Sequence, residues 1–197
     1  MKKDLLDLII KENNGTITTA EAIRTGVSKP FFLNFVKERN LLRVGHGIYL
    51  SEDFWEDPYY ILSIRYKNMV FSHETALYFL GLSDREPTRL AVTVKDKYSN
   101  ANLTGQGVKL YRIKKELFEI GKISVQSPMG NPIPIYDAER SLCDIMRSRS
   151  QVETQDLHTA MKEYVRGPDK NIPKLMSYAQ KFKVEKHLQN YLEVLLS

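Results

Sequence analysis

The chain lacks several features that define other protein classes. It has one cysteine, Cys143, in 197 residues, so no disulfide can close within it and a reducing, cytoplasmic setting is expected. No apolar run approaches the ~18 residues that a membrane-spanning helix needs. The opening Met1-Lys2-Lys3-Asp4-Leu5 is charged and then amphipathic, so no secretory leader is expected. There is no internal repeat and no low-complexity tract. Paired-His or Cys spacings of zinc sites are missing. Gly105-Gln106-Gly107 has neither the following Lys nor the preceding strand of a phosphate loop. The reading is therefore of no metal, no cofactor and no catalytic residue.

What remains is an ordinary globular composition, 42% hydrophobic and 27% charged, long enough to bury a core without staples. The formal net charge is +5, which is compatible with nucleic acid as a partner. Its distribution is more informative. Residues 1–51 carry 8 Lys and Arg against 5 Asp and Glu, whereas residues 137–197 carry 10 against 9. Between them, residues 85–115 hold Arg85, Arg89, Lys95, Lys97, Lys109, Arg112, Lys114 and Lys115 against only Glu86 and Asp96.

Local signals give the element order. Leu5, Leu8, Ile9 and Ile10 suggest one apolar face of a helix over 3–12, which Asn13-Asn14-Gly15 stops. Thr18 or Thr19 caps a second helix to Arg24, and Ser28 caps a third to about Arg39 with Phe32, Phe35 and Val36 as its core side. Two β-prone runs then flank Gly45-His46-Gly47, a tight hairpin. Helix, helix, turn, helix and two-stranded wing is the order of a winged helix-turn-helix over 1–54. Acidic, aromatic residues 52–58 read as a connector. The remainder, 55–197, reads as a mixed α/β domain ending in a helical tail: helices from Asp57, Ser72 and Asp137, strands near 69–71, 89–94, 109–113, 123–126 and 133–136, and helices near 153–165, 171–181 and 184–196. The loop 95–107 is expected to be mobile. The fold class is thus α+β.

Reading a major groove requires polar or basic groups on the exposed side of the third helix. Lys29 and Asn34 are the candidates for base edges, Ser28 and Lys37 for phosphate. Thr18 and Thr19 offer hydroxyls and N–H groups to a phosphate, Arg24 lies at the end of their helix, and Arg43 and His46 sit on the wing. The alternative is a winged helix used for protein contacts. For the basic segment 85–115, the choice is between a second nucleic-acid face and solvent-side cations that protect edge strands. Ser72-His73-Glu74 hints at nucleophile chemistry, but neighbours on a helix diverge, and Ser72 is more simply an N-cap with Glu74 in the first turn. Asp137, Glu139, Arg140 and Asp144 lack a metal-holding pattern: Asp137 reads as an N-cap and Arg140 as an interior ion-pair partner. Cys143 reads as a small core residue.

Gly45-His46-Gly47-Ile48-Tyr49, then Phe71-Ser72-His73-Glu74-Thr75-Ala76-Leu77-Tyr78-Phe79-Leu80-Gly81-Leu82, then Pro134-Ile135-Tyr136-Asp137-Ala138-Glu139-Arg140-Ser141-Leu142-Cys143-Asp144 together carry a resemblance. In this order and spacing, and across nearly the whole chain, the sequence resembles the AbiEi-type antitoxins of bacterial abortive-infection toxin–antitoxin systems. Pro30-Phe31-Phe32 is more apolar than the family's recognition helices. The resemblance implies a winged helix that represses its own operon by binding promoter inverted repeats, with self-association on the DNA. It also implies a second domain that opposes a nucleotidyltransferase toxin without a stable complex. It assigns no individual C-terminal residue to that task. Two other functions compete: a ligand-responsive winged-helix transcription factor, which needs a concave pocket in the second domain, and a DNA-targeted nuclease, which needs clustered carboxylates.

Overall fold

A computed structural model describes residues 1–98 and 101–196. It is a mixed α+β protein with a three-stranded and a five-stranded sheet, divided into two compact units. Unit 1 is Met1–Lys67 with Gln126–Ile133, and unit 2 is Asn68–Val125 with Pro134–Ser197. No helix among the described residues is long and apolar enough to cross a membrane.

Unit 1 runs α1 (Lys2–Glu12), β1 (Thr16–Thr18), α2 (Thr19–Arg24), α3 (Lys29–Glu38), β2 (Leu42–Gly45), β3 (Ile48–Leu50) and α4 (Pro58–Arg65). The β2–β3 hairpin turns at Gly47, whose φ of +67° is the left-handed conformation such turns require. The sheet order is β1-β3-β2, all antiparallel. Phe32, Phe35, Leu6, Ile10, Ile17 and Tyr49 meet in one core, with Phe32 edge-on to Tyr49 at 5.5 Å. α1 corrects the sequence reading: Leu6 and Ile10 are buried, while Leu5 and Leu8 stand 41% and 50% exposed. Five apolar residues within 5–10 leave the buried stripe ambiguous, and an i, i+4 pair wins it. β1 is likewise an addition to the sequence reading, since three residues whose partners lie at 48–50 give no local strand signal.

The acidic connector is not where the chain divides. α4 packs with unit 1, so the division falls after Lys67 rather than at 54. The cause is Asp57. Its carboxylate caps α4 by accepting from Tyr60 N–H at 3.0 Å. It also accepts from the Ser127 hydroxyl and from Asn131 Nδ2, the latter at 2.8 Å, which fastens Gln126–Ile133 into this unit. Asn131 in turn accepts from Asn14 at 3.1 Å. Asp57→Ala removes a helix cap and leaves two buried donors unpaired. It is expected to cost about 2–4 kcal/mol in urea unfolding, and an exposed-residue cost below about 0.5 kcal/mol contradicts the assignment.

Unit 2 contains β4 (Met69–Phe71), α5 (His73–Phe79), β5 (Ala91–Lys95), α6 (Ala101–Thr104), β6 (Lys109–Ile113), α7 (Lys115–Phe118), β7 (Lys122–Gln126), β8 (Pro132–Tyr136), α8 (Ala138–Arg147), α9 (Thr154–Arg166), α10 (Ile172–Phe182) and α11 (Glu185–Leu196), the tips of β7 and β8 belonging to unit 1. The sheet order is β6-β5-β4-β8-β7. β4 runs antiparallel to β5 and parallel to β8, and β5 runs parallel to β6. The core lies where α8 packs on α5, α9 and α10. Within 95–107, expected as a mobile loop, α6 is held by the fully buried Leu103; residues 99 and 100 lie outside the described residues.

Candidate nucleic-acid interface and two buried polar centres

α3 begins where Ser28 accepts from Phe31 N–H at 3.4 Å, with Pro30 in the first turn. Phe32 and Phe35 turn inward, and Val36 is half-buried. Lys29, Asn34 and Lys37 are exposed, as are Arg24 on α2 and Arg43 and His46 on the hairpin. Leu33, 37% exposed, lies among them. Two other cations of unit 1 are tied down, Lys3 to Glu38 at 2.6 Å and Arg39 to Asp7. By contrast, Arg24, Lys29, Lys37, Arg43 and His46 form no carboxylate pair among the described residues. Arg43 instead donates from Nε to the Gly45 carbonyl at 3.2 Å, which folds it along the hairpin.

Thr18 and Thr19 differ from expectation. The Thr18 hydroxyl accepts from Glu21 N–H at 3.1 Å and donates to Glu21 Oε2 at 2.7 Å, while Glu21 Oε2 also accepts from Thr18 N–H. That is a closed capping box. Thr19 N–H donates to the Gly47 carbonyl at 2.8 Å. These groups fix α2 to the hairpin and leave no free hydroxyl at Thr18 or N–H at Thr19 for a phosphate.

The basic segment 85–115 separates into two sets. Arg85 pairs with Glu153 at 2.9 Å, Lys95 with Glu119 at 3.6 Å and Lys109 with Glu74 at 2.7 Å. Arg89 donates to the carbonyls of Gly107 and Val108. Lys97, Arg112, Lys114 and Lys115 are exposed. Arg112 and Lys109 lie on β6, an edge strand, where cations deter edge-to-edge pairing.

Ser72 and His73 overturn the expectation that they diverge. Ser72 is extended at the helix N-cap and His73 adopts φ +51°, which brings Ser72 Oγ to 3.0 Å from His73 Nδ1. The Ser72 hydroxyl does not cap α5; it accepts from Thr93 Oγ1 at 2.8 Å. On the far side of the ring, Nε2 lies 3.2 Å from Ser148 Oγ, and Tyr111 stacks on the ring face at 3.4 Å. Ser72 and His73 are completely buried and no carboxylate hydrogen-bonds to the imidazole, so the arrangement lacks both the access and the orienting acid of a nucleophilic site. Burial, reinforced by Arg147, Lys109 and Arg140, holds the imidazole well below its ordinary titration range. An unfolded chain takes up this proton near pH 6.5 and the folded one does not. The imidazole therefore costs no stability above that pH and erodes stability as pH falls below it. The melting temperature is expected to fall more steeply between pH 6.5 and 5 in the native chain than in His73→Gln; parallel curves contradict this.

The second buried centre is Arg140 on α8. It is fully buried, donates from Nε to Asp144 at 2.9 Å, and donates from one terminal nitrogen to the carbonyls of Leu117 and Ile120 at 2.7 and 2.8 Å. Its other terminal nitrogen has no hydrogen-bond partner, and the guanidinium stacks on Tyr136 at 3.9 Å and Phe182 at 4.2 Å. A Cβ at Gly121 would stand 2.6 Å from Arg140 Cβ, so this turn must be glycine. Burial drives the Asp144 carboxyl up, and Arg140 and Arg147 pull it back. At the start of α8, Asp137 caps the helix through Arg140 N–H. Lys174, from α10, reaches Asp137 at 3.0 Å and Glu139 at 2.9 Å. Burial opposes the Lys174 charge, but the hydrogen bonds to Glu139 and Asp137 outweigh it and raise its pKa. Tyr164 completes the cluster by donating to Glu139 at 2.9 Å. Lys174 and Tyr164 carry no sequence signal for this role. Cys143 is buried beside this centre, and burial raises its thiol pKa. Among the described residues, no group of three or more His, Cys, Asp and Glu is placed to hold a metal ion.

Neither a protein-family model nor a curated protein matches the chain. Among solved structures, it is similar to the crystal structure of the RV2827C protein from Mycobacterium tuberculosis. The TM-score is 0.59 at 14% identity, over 89% of this chain and 70% of that one. The likeness is one of fold: the mixed α+β arrangement extends, over most of this chain's length, to a second protein.

Proposed function

We propose that the chain is a cytoplasmic, AbiEi-type antitoxin that represses its own operon and is not an enzyme. In this reading α1 to β3 is a winged helix-turn-helix, α3 is its recognition helix and β2–β3 its wing. One observation carries the reading. Lys29, Asn34 and Lys37 on α3, with Arg24, Arg43 and His46, are all exposed, and none of the basic side chains among them pairs with a carboxylate of the described residues, while Lys3 pairs with Glu38 and Arg39 with Asp7. Unpaired cations beside a groove-sized helix are what phosphate docking needs. Two copies on promoter inverted repeats supply the footprint that one small module lacks. The second unit opposes a nucleotidyltransferase toxin without a lasting complex. Co-expression with a nucleotidyltransferase encoded beside this chain is expected to restore growth, with no co-purification; growth arrest that persists at full antitoxin expression contradicts the antitoxin half of the reading.

A ligand-responsive transcription factor is the second reading. It is favoured by a cavity of about 300 Å³ in unit 2, and it differs in predicting that a small molecule alters DNA affinity.

A further inference from the structure

The cavity lies between α5, the segment after it, β6 and the start of α9. Six charged side chains line it, three of each sign. Four of them cancel in pairs, Arg85 with Glu153 and Lys109 with Glu74. Lys109 is further held by the Gln151 carbonyl at 2.7 Å. Two charges are left over. Arg89 is fixed by the main-chain carbonyls of Gly107 and Val108, which orient its guanidinium without neutralising it. Asp156 makes no ion pair and no side-chain hydrogen bond among the described residues, and it is half-buried. Leu77 and Pro87 supply an apolar wall.

We propose that this cavity binds a small zwitterion of free amino-acid size, its carboxylate on Arg89, its ammonium on Asp156 and its aliphatic part against Leu77 and Pro87. The volume matches the lower end of small-molecule sites, about 300 Å³. A rigid guanidinium held by two carbonyls pays little ordering cost on meeting a carboxylate. At the other end, burial raises the Asp156 carboxyl, with Glu153 and Glu74 adding to the rise and Arg85 and Lys109 opposing it, and an incoming ammonium favours the charged carboxylate. A purely anionic ligand leaves Asp156 opposed to it, and a purely cationic one leaves Arg89 unused. The inference concerns unit 2 alone and stands whether or not the chain binds DNA.

The test titrates each of the twenty free amino acids into the isotope-labelled full-length chain and follows backbone amide shifts. At least one is expected to saturate with shifts confined to residues around 74–89, 107–109 and 151–156. Its N-acetyl and carboxamide derivatives, each missing one charge, are expected to bind about tenfold or more weaker. Asp156→Asn is expected to weaken the parent amino acid about tenfold while leaving the N-acetyl derivative unchanged, and Arg89→Gln to do the same with respect to the carboxamide. The proposal is overturned if no free amino acid binds, if the one-charge derivatives bind as well as the parent, or if both variants bind like the native chain.

Discussion

Arg140→Met is expected to destabilise the protein by about 3–5 kcal/mol, the cost of leaving one partner of a buried ion pair alone. Asp144 would remain fully buried with only Arg147 at 3.6 Å. The carbonyls of Leu117 and Ile120 would lose their donor, and the rings of Tyr136 and Phe182 their cation. Methionine fills much of the volume, so the loss is electrostatic and hydrogen-bonded rather than a cavity. Restoring neutrality with Asp144→Asn in the same chain is expected to recover part of it, since an amide tolerates burial better than an unpaired carboxylate. Urea unfolding of the four chains of this cycle isolates the coupling between the two residues. A loss under about 1 kcal/mol for Arg140→Met, or additivity of the two changes, contradicts the role given to this arginine.

Lys29→Ala is expected to weaken binding to the chain's own upstream DNA by about 1–3 kcal/mol more than binding to scrambled DNA, the discrimination of one good base contact. Lys37→Ala is expected to weaken both DNAs alike and to reduce the salt slope by about 0.9, the signature of one lost phosphate contact. The assignment rests on position. Both lysines are exposed on α3, opposite or flanking the side that buries Phe32 and Phe35. Equal losses for Lys29→Ala on both DNAs move it to the phosphate class.

Local signals made the three helices and the hairpin of 1–50 legible, though not β1. The Ser28 cap, the Gly-His-Gly turn and the Phe32/Phe35 spacing act within a few residues, and the sequence displays them directly. What depends on distant partners was not legible. Thr19 reads as an open donor because the Gly47 carbonyl that takes its N–H lies 28 positions away along the chain, whereas the Thr18 hydroxyl is closed locally by Glu21. The Ser72–His73 contact depends on a left-handed histidine, a conformation uncommon outside glycine, which no local residue pattern announces. Asp57 reads correctly as a cap, yet its hold on Ser127 and Asn131, some 70 positions on, and the place of α4 in unit 1 are set by distant contacts. In the basic segment, the pairing of Arg85, Lys95 and Lys109 with Glu153, Glu119 and Glu74 depends on residues distant in sequence, while Lys97, Arg112, Lys114 and Lys115 stay exposed. Arg140 was recognisable as an interior ion-pair partner, but the carbonyls that share its load are set by the turn at Gly121.

The most direct test of the autoregulation claim is fluorescence anisotropy of the full-length chain on its own upstream DNA and on a scrambled duplex, across a salt series. With about five phosphates neutralised, log K is expected to fall with log salt at a slope of roughly −4 to −5, with a preference for the upstream DNA of about a hundredfold or more. Equal, weak binding to both duplexes contradicts it and leaves the exposed side chains of α3 as a surface for protein contacts.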